Sequence, residues 1–280
     1  MNKHDKGNII KVDGSIETFD KKKLQESIIR SGATMDVSNK AVEHIEKYLR
    51  GSIRTDEIYR RVFSFLKTHN KKNAMRYSLK RALLHFGPTG FPFERFVAEL
   101  FNMRGYKTKV GEVISGRCAS HEVDVFATSG SEKIAIEVKF HNKQRYKTDM
   151  KTALYIKARF DDLLSRTPSS LMMGKITKGL LVTNTHFTST TIRYAKCVGL
   201  EIIGWGYPKR KGNLQNLIED EKIHPITCLT SLDESDMRQL FAHNLVLCRD
   251  VVKEGNHLRH LGIAPSKVAK LVNESIELCS

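Results

Sequence analysis

Long apolar runs are absent from this sequence of 280 residues. The longest apolar cluster lies within residues 178–183 and has the length of a single buried strand, whereas a membrane-spanning helix needs roughly 18 apolar residues or more. The first ten residues carry charges, but no apolar stretch follows them. We therefore expect neither a signal peptide nor a membrane partner.

Cysteine is also scarce. The five cysteines are odd in number and no two of them are close in sequence, which excludes a disulfide framework and the paired spacing of a zinc site. They are Cys118, Cys197, Cys228, Cys248 and Cys279. The simplest expectation is a reducing compartment, the cytoplasm.

Acidic residues are too few to balance the basic ones. The chain has 31 Asp and Glu against 47 Lys and Arg, a formal net charge of +16 and a pI of about 9.6. This charge disfavours an enzyme of neutral metabolites and favours a polyanionic partner such as nucleic acid. Apolar residues make up 40% of the chain, which is enough for a buried core, so intrinsic disorder is excluded.

Two prolines and two glycines within residues 87–92 mark a domain boundary. Before it, Asp13-Gly14 stands between two short apolar runs, which predicts a hairpin, and helical patterns follow. These helices are predicted at 24–31, 37–48, 55–70 and 72–84, the third with Thr55 as its N-cap. Beyond the boundary, strands and helices alternate. They are predicted as helices at 93–104, 148–165 and 189–198 and as strands at 123–126, 133–140, 179–183 and 200–205.

These patterns predict an α/β multidomain protein of three regions. The N-terminal region, 1–87, is mostly helical with an N-terminal hairpin, and the central region, 88–222, is an α/β core. The C-terminal region, 223–280, is small and all helical, with three helices expected between 232 and 279.

The segment richest in chemistry contains Asp124 and, after twelve intervening residues, Glu137-Val138-Lys139. Residues two apart face the same side of a strand, so Glu137 and Lys139 project together, and Asp124 on the preceding strand comes alongside Glu137. Mg²⁺ or Mn²⁺ prefers such oxygen ligands, which predicts a metal held by Asp124 and Glu137. A metal-bound water is a strong nucleophile for a phosphodiester, and Lys139 could orient it or neutralise the transition state.

This pattern of Asp124 followed by Glu137-Val138-Lys139 resembles the core motif of the PD-(D/E)xK nuclease superfamily. Downstream, residues 178–189 and 195–203 are similar to later strands of Mrr-type restriction endonucleases, and the similarity covers roughly 88–220. The resemblance implies a restriction-endonuclease-like core with a central mixed sheet. Mrr proteins usually carry Gln where this chain has Glu137, and Glu is the better metal ligand.

Upstream, residues 93–101 and Arg104-Gly105-Tyr106 resemble the first helix of the same enzymes and of archaeal Holliday-junction resolvases. Those resolvases carry a metal-associated Glu in this helix. The resemblance therefore implies that Glu94 is a further catalytic residue, whereas Glu99, five residues on, points to a different face.

The N-terminal residues 10–24 and 52–58, together with 77–81, resemble the ATP-cone, a regulatory nucleotide-binding module of ribonucleotide reductases. The resemblance implies that ATP or dATP binds there as a regulator, with contacts from Lys11, Glu17, Lys23 and Thr55. Lys80 or Arg81 is a further candidate contact. Lysines suit a triphosphate, and the acid suits an adenine amino group or a ribose hydroxyl. A module that keeps the fold for docking or oligomerisation without nucleotide stays an alternative.

Two other features bear on DNA. Basic residues crowd 143–166, and directly after the candidate metal motif they would contact the DNA backbone, which predicts roles for Lys143, Arg145, Lys147 and Lys151. In the C-terminal region, residues 258–272 resemble half of a helix-hairpin-helix element, whose glycine turn suits a phosphate. A plain packing or dimerisation module is an equal alternative there.

Together these observations predict a Mg²⁺-dependent DNA endonuclease of restriction or defence type, regulated by an adenine nucleotide and active as a homo-oligomer. One alternative is a structure-selective nuclease of repair or recombination, similar to a junction resolvase. Another is a nucleotide-responsive DNA-binding regulator that does not cleave.

Overall fold

A computed structural model describes residues 7–49, 51–165 and 176–280 of the chain. Its N-terminal region combines a three-stranded sheet with four helices. These elements are β1 (Asn8–Ile10), β2 (Ile16–Thr18), α1 (Lys21–Arg30), α2 (Met35–Glu46), β3 (Ser52–Arg54), α3 (Thr55–His69) and α4 (Lys71–Ala82). The predicted hairpin is confirmed, since β1 and β2 pair antiparallel and Gly14 takes the positive φ of +85° that its turn requires. The sequence missed β3, which pairs parallel with β1 and is only three residues long.

The start of α3 differs from the expectation. Thr55 is the first helical residue and Arg54 is the N-cap, without a side-chain capping bond. The prediction of Thr55 as the cap was wrong because β3 runs straight into the helix. The Thr55 hydroxyl instead donates to the Ile10 carbonyl at 3.2 Å, which ties α3 to the end of β1.

The central region is built on a mixed sheet of five strands in the order β10-β8-β6-β5-β4. Strands β4, β5 and β6 pair antiparallel, whereas β6, β8 and β10 pair parallel, and β7 and β9 form a separate two-stranded parallel pair. The elements are α5 (Phe91–Met103), β4 (Lys107–Ser115), β5 (Ser120–Ser129), β6 (Glu132–Lys139), β7 (Lys147–Thr148), α6 (Met150–Leu164), β8 (Lys178–Thr183), β9 (His186–Phe187), α7 (Ser189–Val198), β10 (Glu201–Ile203) and α8 (Leu214–Asp220).

Strand β4 was missed by the sequence reasoning, and β5 begins three residues earlier than predicted. β4 is an edge strand whose residues alternate between exposed and half-buried, so it has little of the apolar signal of a buried strand. Its lysines Lys107 and Lys109 face solvent along this edge, where charge discourages pairing with another chain.

Apolar side chains cover both faces of the central sheet. Ile134 and Ile136 of β6 pack in one core with α5 and the C-terminal helices, whereas Ala135 packs in a second core with α6 and α7. The predicted alternation along β6 is therefore observed, and it places Glu137 on the face that α6 covers.

The C-terminal region is helical, as expected. It comprises α9 (Glu234–Ala242), α10 (Cys248–Glu254), α11 (Pro265–Cys279) and two 3₁₀ helices, Ile226–Cys228 and Gly255–Leu261. Its side chains share a core with the central region, so packing is continuous across residues 222–223. The two boundaries between the three domains and the likeness to a helix-hairpin-helix stay predictions. None of the described helices combines the length and apolarity that crossing a membrane would require.

Phe86 joins the regions physically. Its ring is fully buried and lies 5.3–5.7 Å, centroid to centroid, from the rings of Phe93 and Phe96 on α5 and of Phe241 on α9. It therefore anchors the end of the N-terminal region in the core that the other two regions share.

We predict that Phe86→Ala destabilises the protein by about 3–5 kcal/mol, because it removes buried aromatic area and leaves a cavity. Thermal or urea unfolding of the full chain measures the change. Phe91→Ala is the matched control, since Phe91 is 48% exposed and its removal should change the unfolding midpoint little. Equal effects of the two substitutions would contradict this role of Phe86.

Candidate functional site

Asp124 and Glu137 lie side by side where the hydrogen-bonded pairing of β5 with β6 ends. The last paired residues are Val125 and Ile136, so the next positions, Asp124 and Glu137, lie across from each other. Asp124 Oδ2 accepts a hydrogen bond from the Val138 backbone N–H at 2.7 Å, which fixes the carboxylate against the neighbouring strand. The structure thus brings together the two predicted metal ligands.

On its other side, Asp124 faces an interruption in the pairing of β4 with β5. Val110 pairs with Val125 and Glu112 with Val123, but the intervening Gly111 makes no ladder pair and has a φ of +68°. Such a local break re-aims the side chains beside it. Gly111 suits this position because side chains rarely adopt that backbone conformation.

Glu94 lies in the first turn of α5, close to the same acids. Its Oε1 lies close to Gly90. A Cβ placed on this glycine would be 3.4 Å from Glu94 Oε1 and 3.6 Å from the Cβ of Phe140. Burial, and then the nearby Asp124 charge, raise the pKa of Glu94 to about 7. The competitor Glu99 points elsewhere, with its carboxylate 3.8 Å from Arg249 of α10.

Glu137 is buried, with 7% of its surface exposed. Burial is the main cause that raises the pKa of Glu137 to about 8, and the Asp124 charge adds to it. Arg159 of α6 opposes this shift, since its Nη1 lies 2.8 Å from Glu137 Oε1. From the sequence, Arg159 is only one cation of a basic helix, because no pattern in the neighbouring residues shows that α6 folds back over β6.

The acids fit a divalent cation. Among the described residues no three His, Cys, Asp or Glu side chains converge closely enough to hold a metal by themselves. Two carboxylates are nevertheless sufficient where water and substrate oxygens complete the shell, as Mg²⁺ often requires. Glu137 Oε1 is also buried without a hydrogen bond, because the contact with Arg159 lacks suitable alignment. A buried oxygen of this kind is available as a ligand.

Lys139 ends β6 two residues beyond Glu137, and it is exposed. The Thr183 hydroxyl donates to the Lys139 carbonyl at 2.7 Å and holds the end of the strand against β8. The ammonium group is therefore free to reach a substrate bound beside the acids.

The predicted DNA-binding cations lie on one stretch of the chain, but the helix that follows, α6, begins later than expected. Lys143, Arg145 and Lys147 are exposed and precede α6, while Lys151 is exposed in its first turn. The helix begins at Met150, because Thr148 belongs to β7. Farther along α6, Lys157 pairs with Asp161, so α6 is not a continuous basic face. Arg166, the end of the basic stretch, lies outside the described residues.

A pocket in the N-terminal region is lined by all four predicted nucleotide contacts, Lys11, Glu17, Lys23 and Thr55. Lys11 Nζ lies 2.9 Å and Lys23 Nζ 3.9 Å from the same Glu17 oxygen. Both pairs are partly exposed, so a phosphate competes for these lysines at little cost.

The structure adds residues to this pocket that the sequence reasoning named only in passing or not at all. Tyr59 and Tyr77 stack with centroids 5.5 Å apart, and the Arg81 guanidinium lies 3.6 Å above the Tyr59 ring. The two rings form an aromatic wall of the pocket that the lysines also line. Gln144, from the central region, also lines the pocket.

Lys80 is a lysine of this pocket whose pKa is strongly shifted. Burial lowers the pKa of Lys80 to about 8, and the nearby cations Lys11 and Arg30 lower it further. Its Nζ lies 3.3 Å from His186 Nε2 on β9. Burial and the Lys80 charge also lower the pKa of His186 to about 4, so this histidine is neutral at pH 7 and accepts from Lys80.

Comparisons with known proteins agree with this arrangement. Residues 7–83 match the model of the ATP cone domain, residues 88–204 that of a restriction endonuclease of the Mrr type, and residues 224–279 that described as AF1548-like, C-terminal. An uncharacterized protein of Archaeoglobus fulgidus is 35% identical over 180 residues, which cover 64% of this chain and 97% of that protein. The chain thus joins an ATP-cone domain to an Mrr-type restriction endonuclease domain.

About two thirds of the chain has a solved counterpart. The crystal structure of the protein of unknown function AF1548 superposes with a TM-score of 0.57 at 33% identity and covers 68% of this chain and 98% of that one. The predicted fusion of an ATP-cone with an Mrr-type nuclease domain is thereby confirmed. The individual site residues stay predictions.

We predict that nucleotide affinity falls as pH rises through about 8. A bound phosphate raises the pKa of Lys80, so above pH 8 binding requires proton uptake by this lysine, whereas below pH 7.5 the lysine is already charged. Calorimetry with ATP should give a Kd about five- to tenfold weaker at pH 9 than at pH 7.5. His186 does not titrate in this range.

The matched control is Lys80→Arg, which keeps its charge at both pH values and should remove this difference in affinity. A difference that persists in Lys80→Arg would assign the titration to another group.

Proposed function

We propose that this protein is a Mg²⁺-dependent DNA endonuclease of restriction or defence type that an adenine nucleotide regulates. One observation carries the proposal: Asp124 and Glu137 lie side by side where the pairing of β5 with β6 ends, with Glu94 and Lys139 next to them. Two acids that can hold a metal and a nearby ammonium are the groups that phosphodiester hydrolysis needs. The match of residues 88–204 to a restriction endonuclease supports the same reaction.

Asp124 and Glu137 would hold the metal ion. When bound, Mg²⁺ supplies stabilisation of negative charge on the phosphoryl oxygens and makes water a better nucleophile. Arg159 offsets part of the rise in the pKa of Glu137, and a bound cation would favour the charged form of this carboxyl further. The hydrogen bond from Val138 holds the Asp124 carboxylate in place throughout.

Lys139 and Glu94 complete the chemistry. Lys139 lies on the same side of β6 as Glu137 and donates to the attacking water or to a phosphoryl oxygen, which offsets the charge that develops there. Glu94, whose pKa of about 7 lets it exist in both protonation states near neutral pH, is placed to accept or return a proton.

The ATP-cone would supply regulation. Its pocket places the cations Lys11, Lys23, Lys80 and Arg81 around a space with an aromatic wall, which suits the phosphates and base of ATP or dATP.

We place the protein in the cytoplasm, in keeping with its five free cysteines. A homo-oligomer fits because one chain carries one cleavage centre, whereas cutting both strands of a duplex needs two.

We predict that Asp124→Asn and Lys139→Ala each reduce metal-dependent cleavage by at least about 100-fold, because each removes a charge used in the transition state. Methylated, unmethylated and branched DNA, incubated with Mg²⁺ or with EDTA, report cleavage on a gel. Glu99→Gln and Lys133→Ala are matched controls in α5 and β6, and both should cleave normally. Cleavage that survives Asp124→Asn would refute the assigned centre.

We also predict that replacing Lys143 and Arg145 by Gln reduces the slope of log affinity against log salt by about 1.8, since each phosphate contact contributes about 0.9. The loss should be similar for all sequences, because these residues contact the backbone. Anisotropy titrations of a labelled duplex at several salt concentrations measure the slope. The control pair, Arg60→Gln with Lys67→Gln on α3, should leave the slope unchanged. An equal reduction of the slope in the control would show that it depends on the total charge of the protein and not on contacts from Lys143 and Arg145.

A further inference from the structure

We infer that the segment 141–148, called here the linking segment, completes the nucleotide pocket of the ATP-cone and couples nucleotide binding to DNA binding. The inference rests on the proposed function and adds to it the route of regulation. The linking segment belongs to the nuclease domain, and it runs from the end of β6 to the end of β7. It therefore starts beside the cleavage centre.

The middle of the linking segment reaches the nucleotide pocket. Gln144 is half-buried and lines the pocket together with Lys11, Lys80 and Arg81 of the ATP-cone. Its amide can both donate and accept, which suits a ribose, a base or a phosphate. A nucleotide in this pocket therefore contacts the nuclease domain as well as the cone.

The start of the linking segment is fastened to the ATP-cone through Asn184, which is buried. The Asn184 amide nitrogen donates at 2.8 Å both to the His141 carbonyl and to the carbonyl of Leu83, the residue that ends α4. Its oxygen accepts from the His141 N–H at 2.9 Å. The last turn of α4 carries Lys80 and Arg81, so a single side chain joins the pocket helix to the residue two positions after Lys139.

The end of the linking segment is connected to the pocket by a second route, through β9. Lys147 and Thr148 form β7 and pair with His186 and Phe187 of β9. His186 in turn lies 3.3 Å from the pocket residue Lys80. The segment is thus linked to the cone through Asn184 at its start and through His186 at its end, and its middle lines the same pocket.

The linking segment also carries the candidate DNA contacts. Lys143, Arg145 and Lys147 flank Gln144 and are exposed. Beyond the segment, α6 brings Arg159 back to Glu137. A ligand that fixes Gln144 therefore restricts the same residues whose cations bind the DNA backbone.

Coupling follows from shared residues. When one ligand changes the conformational freedom of a segment that the other ligand needs, the two affinities change together, and by the same factor in both directions. We expect this factor to be about fivefold or more, the low end of typical coupling. Nucleotide should change the Kd for DNA, and DNA the Kd for nucleotide, by equal amounts.

The experiment uses the full chain in EDTA, so that the duplex is not cut. Anisotropy gives the Kd of a labelled duplex with and without saturating ATP or dATP, and calorimetry gives the nucleotide Kd with and without duplex. Gln144→Ala should bind nucleotide more weakly than the unmodified chain, so saturation is set from the variant's own Kd, while the coupling factor falls to about 1. Gln215→Ala, a half-buried glutamine on α8 outside the pocket, should keep the full factor.

The outcomes separate the proposals. If both ligands bind but the factor is 1 in the unmodified chain, or if Gln144→Ala keeps the full factor, the linking role is overturned. If nucleotide does not bind at all, the regulatory part of the proposed function fails. Failure of Mg²⁺-dependent cleavage in the unmodified chain would instead refute the nuclease, and it is measured separately.

Discussion

The antiparallel register between β5 and β6 is the constraint on which the rest of the nuclease domain depends. It pairs Val125 with Ile136 and thereby leaves Asp124 beside Glu137 at the open end of the hairpin. Both faces of β6 are buried, with Ile136 in one core and Ala135 in the other. A slip of one residue would exchange these faces and break both cores, so the packing that stabilises the sheet also fixes the acids.

This arrangement places like charges together. Burial and mutual repulsion raise the pKa values of Glu94 and Glu137 to about 7 and about 8, and Arg159 offsets only part of that effect. A cation relieves such repulsion, and an enzyme gains from holding ligands that no internal partner fully satisfies. The stability lost at this point is supplied elsewhere, by an aromatic cluster around Phe86 that spans all three regions.

The ATP-cone is joined to the nuclease domain by polar as well as apolar contacts. Arg76 of α4 pairs with Glu219 of α8, and His224 lies 3.6 Å from the same carboxylate. Asn184 ties the end of the same helix to His141, two residues beyond the strand that carries Lys139. Because α4 lines the nucleotide pocket, a ligand there acts on a helix that is already bonded to the catalytic half of the molecule.

The sequence by itself determined what depends on neighbours in the chain. The turn at Gly14, the helical stretches and the common side of Glu137 and Lys139 follow from local conformation and from the periodicity of strands and helices. Only the tertiary structure decided the rest: the edge strand β4, the pairing of Arg159 with Glu137, and the presence of Gln144 in the nucleotide pocket. These depend on contacts between residues far apart in sequence, which arise from the packing of whole elements and leave no periodic pattern in the chain.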